Sequence, residues 1–474
     1  MEHPKIIQGG MGVGVSGWTL ARAVSSLGQL GVVSGTALEL VLARRLQDGD
    51  PGGHVRRALE RFPFPRAAAR ILSRYFLEGG KGTDKPYRPV PMHSKDSPKE
   101  LLELCVASNF VEVFLAREGH GGPVGINFLE KIQFPVLPSL YGAMLAGVGY
   151  VLMGAGIPLK VPGVLDLFVN HESATYPLSV TGAREGDDTA LRFDPRDLQE
   201  GEVGLPPLKR PLFLPIISSY TLALTLVRKA NGRVDGFIVE GPTAGGHNAP
   251  PRGRPPLSAT GEPVYGERDA VDLGKLRELG LPFWLAGGYG SAEGLRKALA
   301  AGAQGIQVGT AFAFCNESGL DARYKQLVLK QALEGTARVF TDPLASPTGF
   351  PFKVAQLEGS LSVEKEYLAR TRVCDLGYLR ESYRREDASI GYRCPSEPTA
   401  AWAAKGGATG DTEGRRCLCN ALLANIGHPQ IRSEGLQEKP LLTSGDDLVE
   451  IGRYLPEGAS SYTAKDVVTK LLGV

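Results

Sequence analysis

The stretch VDGFIVEGPTAGGH, residues 234–247, joins an apolar run to two glycines and a histidine. The apolar part does not alternate with polar residues, which predicts a strand buried on both faces, as in a parallel sheet. A simple turn would not need paired glycines. A loop whose backbone approaches a phosphorylated ligand would, because glycine has no Cβ to hold the ligand away. The stretch therefore predicts a buried strand whose end faces a binding site.

Seven further apolar runs have the same character, and most of them end in glycine. They span residues 5–10, 30–35, 124–129, 149–154, 212–219, 283–288 and 305–310. Helical stretches are predicted between most of these runs, at Trp18–Ser26, Pro98–Ala107, Leu222–Ala230, Asp272–Leu279 and Ser291–Ala301. Eight strands with helices between them indicate the α/β class and a TIM (β/α)8 barrel. A doubly wound open sheet is the alternative, but it would usually contain fewer strands.

The predicted barrel, residues 1–320, contains two insertions and is followed by a different kind of sequence. A large insertion spans about residues 37–122, after the second strand. A polar, turn-rich insertion spans about residues 180–211 and predicts a hairpin or a surface loop. Residues 321–474 are rich in turn residues and show little periodicity, which predicts a C-terminal extension that packs on the barrel without an independent core.

The first insertion is basic. Residues 43–89 contain eleven Lys and Arg against five Asp and Glu, with aromatic residues among them. The favoured interpretation is an amphipathic helical pair whose charged face is solvated. The alternative is a basic lid that attracts an anionic substrate or carrier.

Charge and composition exclude several classes of protein. With 53 Lys and Arg against 51 Asp and Glu, the net charge of +2 does not indicate a general nucleic-acid binder. Residues 132–159 lack charged side chains and are long enough to span a membrane, but three prolines and five glycines predict a buried helix and strand instead. The first ten residues lack the basic and apolar regions of a secretory signal. We therefore expect a cytoplasmic protein without a membrane partner, and its oligomeric state stays open.

Small residues end four of the predicted strands. They form the groups Gly9-Gly10-Met11, Gly245-Gly246, Gly287-Gly288 and Gly309-Thr310. In a TIM barrel these strand ends meet at the face where ligands bind, and the loops after strands seven and eight frequently form a phosphate site. The last two groups therefore predict a phosphate-binding cradle of backbone N–H groups.

His247 follows the sixth predicted strand, directly after Gly245 and Gly246. A lone histidine is usually structural, but this one lies where a strand end should face the pocket. A neutral imidazole with an ordinary pKa near ~6.5 is suited to accepting a carbon-bound acidic proton. We therefore predict that His247 handles a proton.

Four motifs together resemble the nitronate monooxygenase (2-nitropropane dioxygenase) family. They are IIQGGM (6–11), EGPTAGGH (240–247), AGGYG (286–290) and VGTAF (308–312), in this order along the chain. Related families include FMN-dependent enoyl-acyl-carrier-protein reductases and the trans-acting enoyl reductases of polyketide and polyunsaturated fatty-acid synthesis. The resemblance covers about residues 1–350 and implies a TIM barrel that holds FMN.

The resemblance also implies roles for individual residues. Gly10 and Met11, with Gly9 beside them, would lie by the flavin ring, and Asn127 and Ser218 would contact its polar edge. The residues expected around the ribityl phosphate are Gly245, Gly246, Ala286, Gly287, Gly288, Gly309 and Thr310. His247 matches the family's proton-handling histidine.

Three functions are consistent with this resemblance. The main expectation is an FMN-dependent oxidoreductase that oxidises alkyl nitronates with O2. The first alternative is an NAD(P)H-dependent enoyl reductase whose acyl substrate is delivered by an acyl carrier protein. The second is a non-catalytic flavin-binding assembly subunit, because Pro242-Thr243 stand where the family commonly has an acidic and a small residue. Arg252 and Arg254, at the expected pocket rim, would suit a phosphate or carboxylate group of the substrate.

Four of the six cysteines lie in the last third of the chain. They are Cys374, Cys394, Cys417 and Cys419. Their spacing matches no common zinc or iron–sulfur pattern, so buried, reduced thiols are one interpretation. A metal would, however, supply the folding energy that this weakly periodic region lacks. We therefore also consider a structural zinc ion or an iron–sulfur cluster at these four residues.

Overall fold

Eight parallel strands form the centre of the protein. The structure is a computed structural model that describes residues 3–200, 204–253 and 255–474. The barrel strands, β1 to β8 in chain order, are Ile6–Gln8, Gly31–Ser34, Val124–Leu129, Tyr150–Gly154, Leu212–Ile217, Phe237–Glu240, Phe283–Ala286 and Gly305–Val308. Each of the eight predicted strands is confirmed.

The strands close into a barrel. Their order in the sheet is β1-β8-β7-β6-β5-β4-β3-β2. A parallel bridge between Ile7 and Leu30 then joins β1 to the start of β2, and the Gln8 N–H donates to the Leu30 carbonyl at 2.9 Å. The predicted TIM barrel is therefore confirmed, and the open-sheet alternative is wrong because both edge strands are paired.

The barrel interior is a small apolar core separate from the larger core beneath the helices. Its buried members are Ile7, Leu30, Val32, Tyr150, Leu152, Leu214, Ile238, Trp284 and Ala286. They come from six of the eight strands or from residues directly before them, and β3 and β8 contribute none. Because these side chains fill the barrel interior, a ligand of the barrel is expected above the strand ends.

Helices surround the barrel and extend beyond it. In chain order, α1 to α16 are Trp18–Ser26, Leu38–Gln47, His54–Leu59, Pro65–Tyr75, Lys99–Arg117, Val136–Leu145, Val161–Val169, Tyr220–Lys229, Leu273–Glu278, Ala292–Ala300, Thr310–Ala313, Ala322–Leu333, Glu364–Ala369, Thr399–Ala404, Leu418–Ala424 and Ala464–Leu472. Helix α1 has the predicted bounds. Helix α5 continues ten residues beyond its predicted end at Ala107, because most of its residues are buried and an all-round apolar helix shows little periodicity.

The uncharged segment 132–159 folds as the expected buried helix and strand. Helix α6 supplies the helix and β4 the strand. Within the ranges that the structure describes, every helix is too short or too polar to cross a bilayer.

The basic part of the first insertion, residues 43–89, consists of short helices, and five of its eleven Lys and Arg side chains form ion pairs. The Arg45 guanidinium lies 2.7 Å from a Glu112 carboxylate oxygen, and the Arg70 guanidinium lies 2.6 Å from Glu103. Both acids belong to α5, and the short helices α2, α3 and α4 pack against this helix. This pairing supports the interpretation as packed amphipathic helices over that as a basic lid.

The second insertion contains the expected hairpin. Ala174–Pro177 pairs antiparallel with Ala190–Phe193, so the hairpin begins before the predicted boundary at residue 180. Val180–Thr181 pairs with Glu381–Arg384 of the C-terminal extension. This insertion is therefore one of the places where the extension is attached to the barrel.

The C-terminal extension adds two antiparallel pairs to its helices. Val339–Asp342 pairs with Phe352–Ala355, and Glu381–Arg384 pairs with Ile390–Arg393. The extension also has a small apolar cluster of its own, made of Ala345, Phe352, Val354, Leu361, Leu418, Ala421 and Leu441. These residues lie almost 100 positions apart in sequence, so periodicity could not indicate the cluster.

Candidate active site

A cavity of about 240 Å³ lies above the carboxyl ends of the barrel strands. The predicted site residues that line it are Gly9, Gly10, Met11, Asn127, Gly245, Gly246, His247, Ala286, Gly287, Gly288, Gly309 and Thr310. The structure thus brings together residues from five strand ends spread over 300 positions of the chain.

Ser218 and Arg252 line a neighbouring cavity of about 250 Å³ and not this one. The Ser218 carbonyl accepts a hydrogen bond from Arg252. The two cavities share Ala155, Ile216, Glu240 and His247 in their walls. The contact of Ser218 with the flavin stays a prediction, since Ser218 lines the neighbouring cavity. Arg254 lies outside the described residues.

Glycines leave the cavity wall without side chains. A Cβ added to Gly10 would lie 2.3 Å from the Asn127 Cβ, so that position accepts only glycine. Gly287 and Gly288 have φ angles of 86° and 77°, in the left-handed region that favours glycine. The backbone at β1 and after β7 can therefore come within contact distance of a ligand.

Gly245 lines the main cavity and also lies against the C-terminal extension. A Cβ at this position would lie 2.7 Å from the Gly445 nitrogen and 2.8 Å from the Ser444 carbonyl carbon. The space beside Gly245 is thus taken by the backbone of the C-terminal extension. Gly246, by contrast, has a φ of 83° and open space beside it.

Two amide oxygens in the cavity wall have no hydrogen-bond partner among the residues that the structure describes. They are Asn127 Oδ1 and Gln307 Oε1, both buried. Leaving a buried acceptor unpaired costs about 1–3 kcal/mol, so both atoms are expected to accept hydrogen bonds from a bound ligand. Asn127 is held in place because its Nδ2 donates to the Gly10 carbonyl at 3.2 Å.

His247 lies half-buried in the wall between the two cavities. Its Nε2 is 2.6 Å from the Ser346 Oγ, and its ring packs edge-on against Phe352, with centroids 4.8 Å apart. Burial and the nearby Lys131 ammonium lower the pKa of His247 to about 4. The imidazole is therefore neutral at neutral pH and is oriented by two residues of the extension.

Glu240 is a site residue that the sequence analysis did not select. It ends β6 and lines both cavities. Burial raises the pKa of its carboxyl group to about 8, so at neutral pH the group is protonated and can donate a hydrogen bond. The available signal was a polar residue in an otherwise apolar strand. Glu240 is such a residue in β6, and Gln307 is another in β8.

A loop of the extension, Thr443–Asp447, closes one end of the cavity. Thr443 Oγ1 accepts a hydrogen bond from the Gly246 N–H at 2.8 Å, and the Gly445 N–H donates to Thr310 Oγ1 at 3.0 Å. No sequence pattern indicated this loop, because its partners lie more than 130 residues away.

Asp447 brings a carboxylate to the predicted phosphate cradle. A Cβ at Gly290 would lie 2.8 Å from Asp447 Oδ2. Gly290 directly precedes Ser291, which caps α10 by accepting from the Gly294 N–H at 2.9 Å. Burial raises the pKa of Asp447. A helix N-terminus stabilises negative charge, so this carboxylate lies where an anionic ligand would also be attracted.

The fold and this cavity define a TIM-barrel protein with a small-molecule site at the carboxyl ends of its strands. Residues 210–344, which include β5 to β8 and His247, match the family model of nitronate monooxygenase. This segment is therefore similar to the nitronate monooxygenase family.

Curated relatives match over a similar part of the chain. A nitronate monooxygenase of Pseudomonas aeruginosa is 34% identical over 121 residues, which cover 25% of this chain and 32% of that protein. A probable nitronate monooxygenase of Bacillus subtilis is 35% identical over 97 residues, or 20% of this chain and 26% of that protein. The chain thus spans about a third or less of the length of these relatives.

Solved structures show a more distant likeness. FabK from Thermotoga maritima is 17% identical, with a TM-score of 0.47, and the match covers 100% of this chain and 92% of that chain. A nitroalkane oxidase from Streptomyces ansochromogenes is 16% identical, with a TM-score of 0.47, and the match covers 99% of this chain and 95% of that chain.

Proposed function

We propose that this protein is an FMN-dependent oxidoreductase that oxidises alkyl nitronates with O2. The observation that carries the proposal is that strand-end glycines, two unpaired amide oxygens and a neutral histidine line one cavity. Half of that cavity wall comes from the segment related to nitronate monooxygenases. All six cysteines are free thiols, which suits a reducing compartment such as the cytoplasm.

The residues present fit FMN. The pyrimidine edge of a flavin carries an N–H donor, which Asn127 Oδ1 or Gln307 Oε1 could accept. Gly10 leaves a wall without a side chain for the planar ring, beside Met11, and Gly288, Gly309 and Gly290 just before α10 would hold the phosphate. Bound FMN would supply the redox centre that takes electrons from the substrate and passes them to O2.

His247 would take the proton from the carbon next to the nitro group when the substrate binds as the neutral nitroalkane, and this step gives the nitronate. Since its pKa is lowered to about 4, it is unprotonated at neutral pH and can accept a hydrogen bond or a proton. Ser346 fixes the ring orientation. Glu240, which is protonated at neutral pH, can donate a hydrogen bond to an oxygen of the substrate.

The second candidate function is an NAD(P)H-dependent enoyl reductase that acts on an acyl substrate carried by an acyl carrier protein. The neighbouring cavity of about 250 Å³ favours it, because it shares Glu240 and His247 with the main cavity and offers room for a longer substrate chain. In that reaction His247 would help to protonate the α-carbon.

The proposal is tested by three measurements on the purified full chain. We expect flavin absorbance after reconstitution with FMN, O2 uptake with an alkyl nitronate, and no bleaching by anaerobic NADH. Bleaching by NADH and oxidation of NADH with an enoyl thioester would instead support the reductase. FMN binding without turnover of either substrate would indicate an assembly subunit, and failure to bind FMN would refute all three functions.

A further inference from the structure

The four cysteines of the extension, Cys374, Cys394, Cys417 and Cys419, line one small cavity of about 10 Å³. Among the described residues, the group of possible metal-ligand atoms that lie within 4.8 Å of one another includes none of their sulfurs. Burial raises the pKa of Cys394, Cys417 and Cys419, so these three are neutral thiols at neutral pH. The structure therefore favours buried, reduced thiols over the zinc ion or iron–sulfur cluster considered from the sequence.

The neighbouring cavity, of about 250 Å³, meets the main cavity at four wall residues. These are Ala155, Ile216, Glu240 and His247. Ile157, a further wall residue, is 53% exposed, so the cavity reaches the surface. A substrate can therefore enter here and reach His247 while FMN occupies the main cavity.

Much of the remaining wall of the neighbouring cavity is apolar. Ile217 contributes from β5, Leu222 from α8, and Pro242 and Phe350 from loops. Such a wall stabilises a hydrocarbon chain, because the chain is removed from water when it binds. The cavity therefore fits an alkyl chain attached to the reacting group.

Polar groups at the rim of this cavity are paired with one another. The Arg252 guanidinium donates to the Arg268 carbonyl at 2.7 Å, and the Arg252 backbone N–H donates to Asp269 Oδ1 at 2.8 Å. The Tyr265 hydroxyl donates to the Ala249 carbonyl at 3.0 Å. Arg252 and Asp269 both line the cavity, so their opposite charges largely offset each other. The chain of the substrate is therefore expected to be uncharged.

Asn248 has an acceptor atom that the fold does not use. The residue is 2% exposed. Its backbone N–H donates to the Pro351 carbonyl at 2.9 Å, and its Nδ2 donates to the Ala244 carbonyl at 3.0 Å. Among the residues that the structure describes, Asn248 Oδ1 has no hydrogen-bond partner. A buried acceptor is costly to leave unpaired, so a bound group that donates a hydrogen bond is expected here.

The free oxygen of Asn248 belongs to the neighbouring cavity. Asn248 lines that cavity and not the main one, whereas Ala244, which takes the amide nitrogen, lines only the main one. The oxygen is on the other branch of the amide. Asn127 and Gln307, the two unpaired amides described above, line only the main cavity. FMN could therefore pair with Asn127 and Gln307, and Asn248 is left for the substrate.

We propose that the neighbouring cavity binds the chain of the substrate, and that Asn248 selects substrates whose chain carries a hydroxyl or N–H group. This assignment rests on the proposed function, in which the nitro end lies at His247. Because Asn248 directly follows His247 and consecutive Cα atoms are about 3.8 Å apart, the donor group belongs within a few bonds of the nitro end. The substrate class is thus a nitroalkane, or its nitronate, with a hydrogen-bond donor on a short, uncharged chain.

Turnover of matched substrates by the wild-type, FMN-loaded chain tests the selection. Nitroalkanes with a terminal hydroxyl are compared, at increasing chain length, with their methyl ethers and with the unsubstituted nitroalkanes. The ethers keep the oxygen but cannot donate. We expect kcat/KM for the best alcohol to exceed that for both of its partners about ten- to hundredfold. Equal values at every chain length would overturn the proposal and would indicate that water pairs with Asn248.

A matched pair of variants assigns the preference to one residue. Asn248→Leu removes the acceptor at similar side-chain size and should bring the alcohol-to-ether ratio to about one. Asn109→Leu is the control, because Asn109 Nδ2 also donates to a backbone carbonyl, that of Cys105, and its buried Oδ1 also lacks a partner among the described residues. Asn109 lies in α5 and lines neither cavity, so its variant should keep the wild-type ratio. An unchanged ratio in Asn248→Leu would overturn the proposal.

Binding without turnover separates this proposal from the proposed reaction. Carboxylates imitate nitronates, since both are planar anions with two oxygens on one atom. Calorimetry on the wild-type chain should give carboxylates with a terminal hydroxyl a Kd about tenfold lower than their methyl ethers. If this preference is found but nitronates cause no O2 uptake, the proposed reaction is wrong and the role of Asn248 stands. If O2 is consumed and neither assay shows a preference, the proposed reaction stands and the role of Asn248 is refuted.

Discussion

The barrel and the C-terminal extension build the active-site cavity in different ways. The barrel contributes strand ends that are paired on both sides, with glycines that expose the backbone. The extension contributes side chains and one loop, through Ser346, Phe352 and Thr443–Asp447. The barrel wall is fixed by a continuous hydrogen-bonded sheet, whereas the extension is attached by individual contacts. We therefore expect substitutions in the barrel to change turnover most, and substitutions in the extension to change it less.

The largest expected effect is on the barrel side. His247→Ala should lower turnover about 10²–10⁴-fold, because it removes the proton-handling group. FMN absorbance should be unchanged. His120→Ala is the control, since His120 binds the Ala116 carbonyl of α5 and lies outside both cavities. Equal activity of the two variants would mean that His247 takes no part in the reaction.

A steric change in the barrel wall comes next. Gly10→Ala places a Cβ 2.3 Å from the Asn127 Cβ, and overpacking of this kind costs about 1–3 kcal/mol of the free energy of unfolding. Chemical denaturation measures the loss. Gly121→Ala, where no atom lies within 4 Å of the new Cβ, should leave stability unchanged. If both variants were equally stable, the Asn127 side chain would have to move away from the new Cβ at little cost.

The pH dependence of stability separates Glu240 from ordinary carboxyl groups. Its folded pKa is raised to about 8 from 4.5, so the folded state holds a proton that the unfolded state has released. Stability contributed by this group is therefore present below pH 4.5 and is lost as pH rises toward 8. Glu240→Gln should flatten the decline in stability between those values, while exposed Glu278→Gln should not. An unchanged slope would show that Glu240 is solvated.

A smaller effect is expected from the extension. Ser346→Ala removes the hydrogen bond to His247 Nε2 and should lower turnover about three- to tenfold, in line with about 1 kcal/mol for a neutral hydrogen bond. The acid limb of the pH–rate profile should also shift. Ser389→Ala, on an exposed turn of the same extension, serves as the control. A loss of turnover as large as that of His247→Ala would mean that the extension matters for turnover as much as the barrel does.

The smallest effect concerns Asp447. Its carboxylate lies beside the backbone that would hold the phosphate, so Asp447→Asn should tighten FMN binding about two- to fivefold by removing charge repulsion. Fluorescence titration measures the affinity, with exposed Glu457→Gln as the comparison. Weaker binding after Asp447→Asn would indicate that the carboxylate positions the loop 443–447.

The sequence indicated the barrel and much of its site, because each of those features depends on only a few neighbouring residues. Each barrel strand is one apolar run, and each glycine pair follows its strand directly. His247 was identified for the same reason. The sequence could not show that Ser218 lines the neighbouring cavity, or that the backbone of the extension lies beside Gly245, because both depend on contacts between distant segments.

The sequence by itself therefore determined the eight-stranded barrel, the glycine-lined strand ends and the position of His247, since local periodicity and missing side chains are properties of neighbouring residues. Only the tertiary structure decided the protonation of Glu240 and His247, the closure of the cavity by Thr443–Asp447 and the meeting of four cysteines. Burial and contacts between distant segments arise when the chain folds, so no short stretch of sequence contains them.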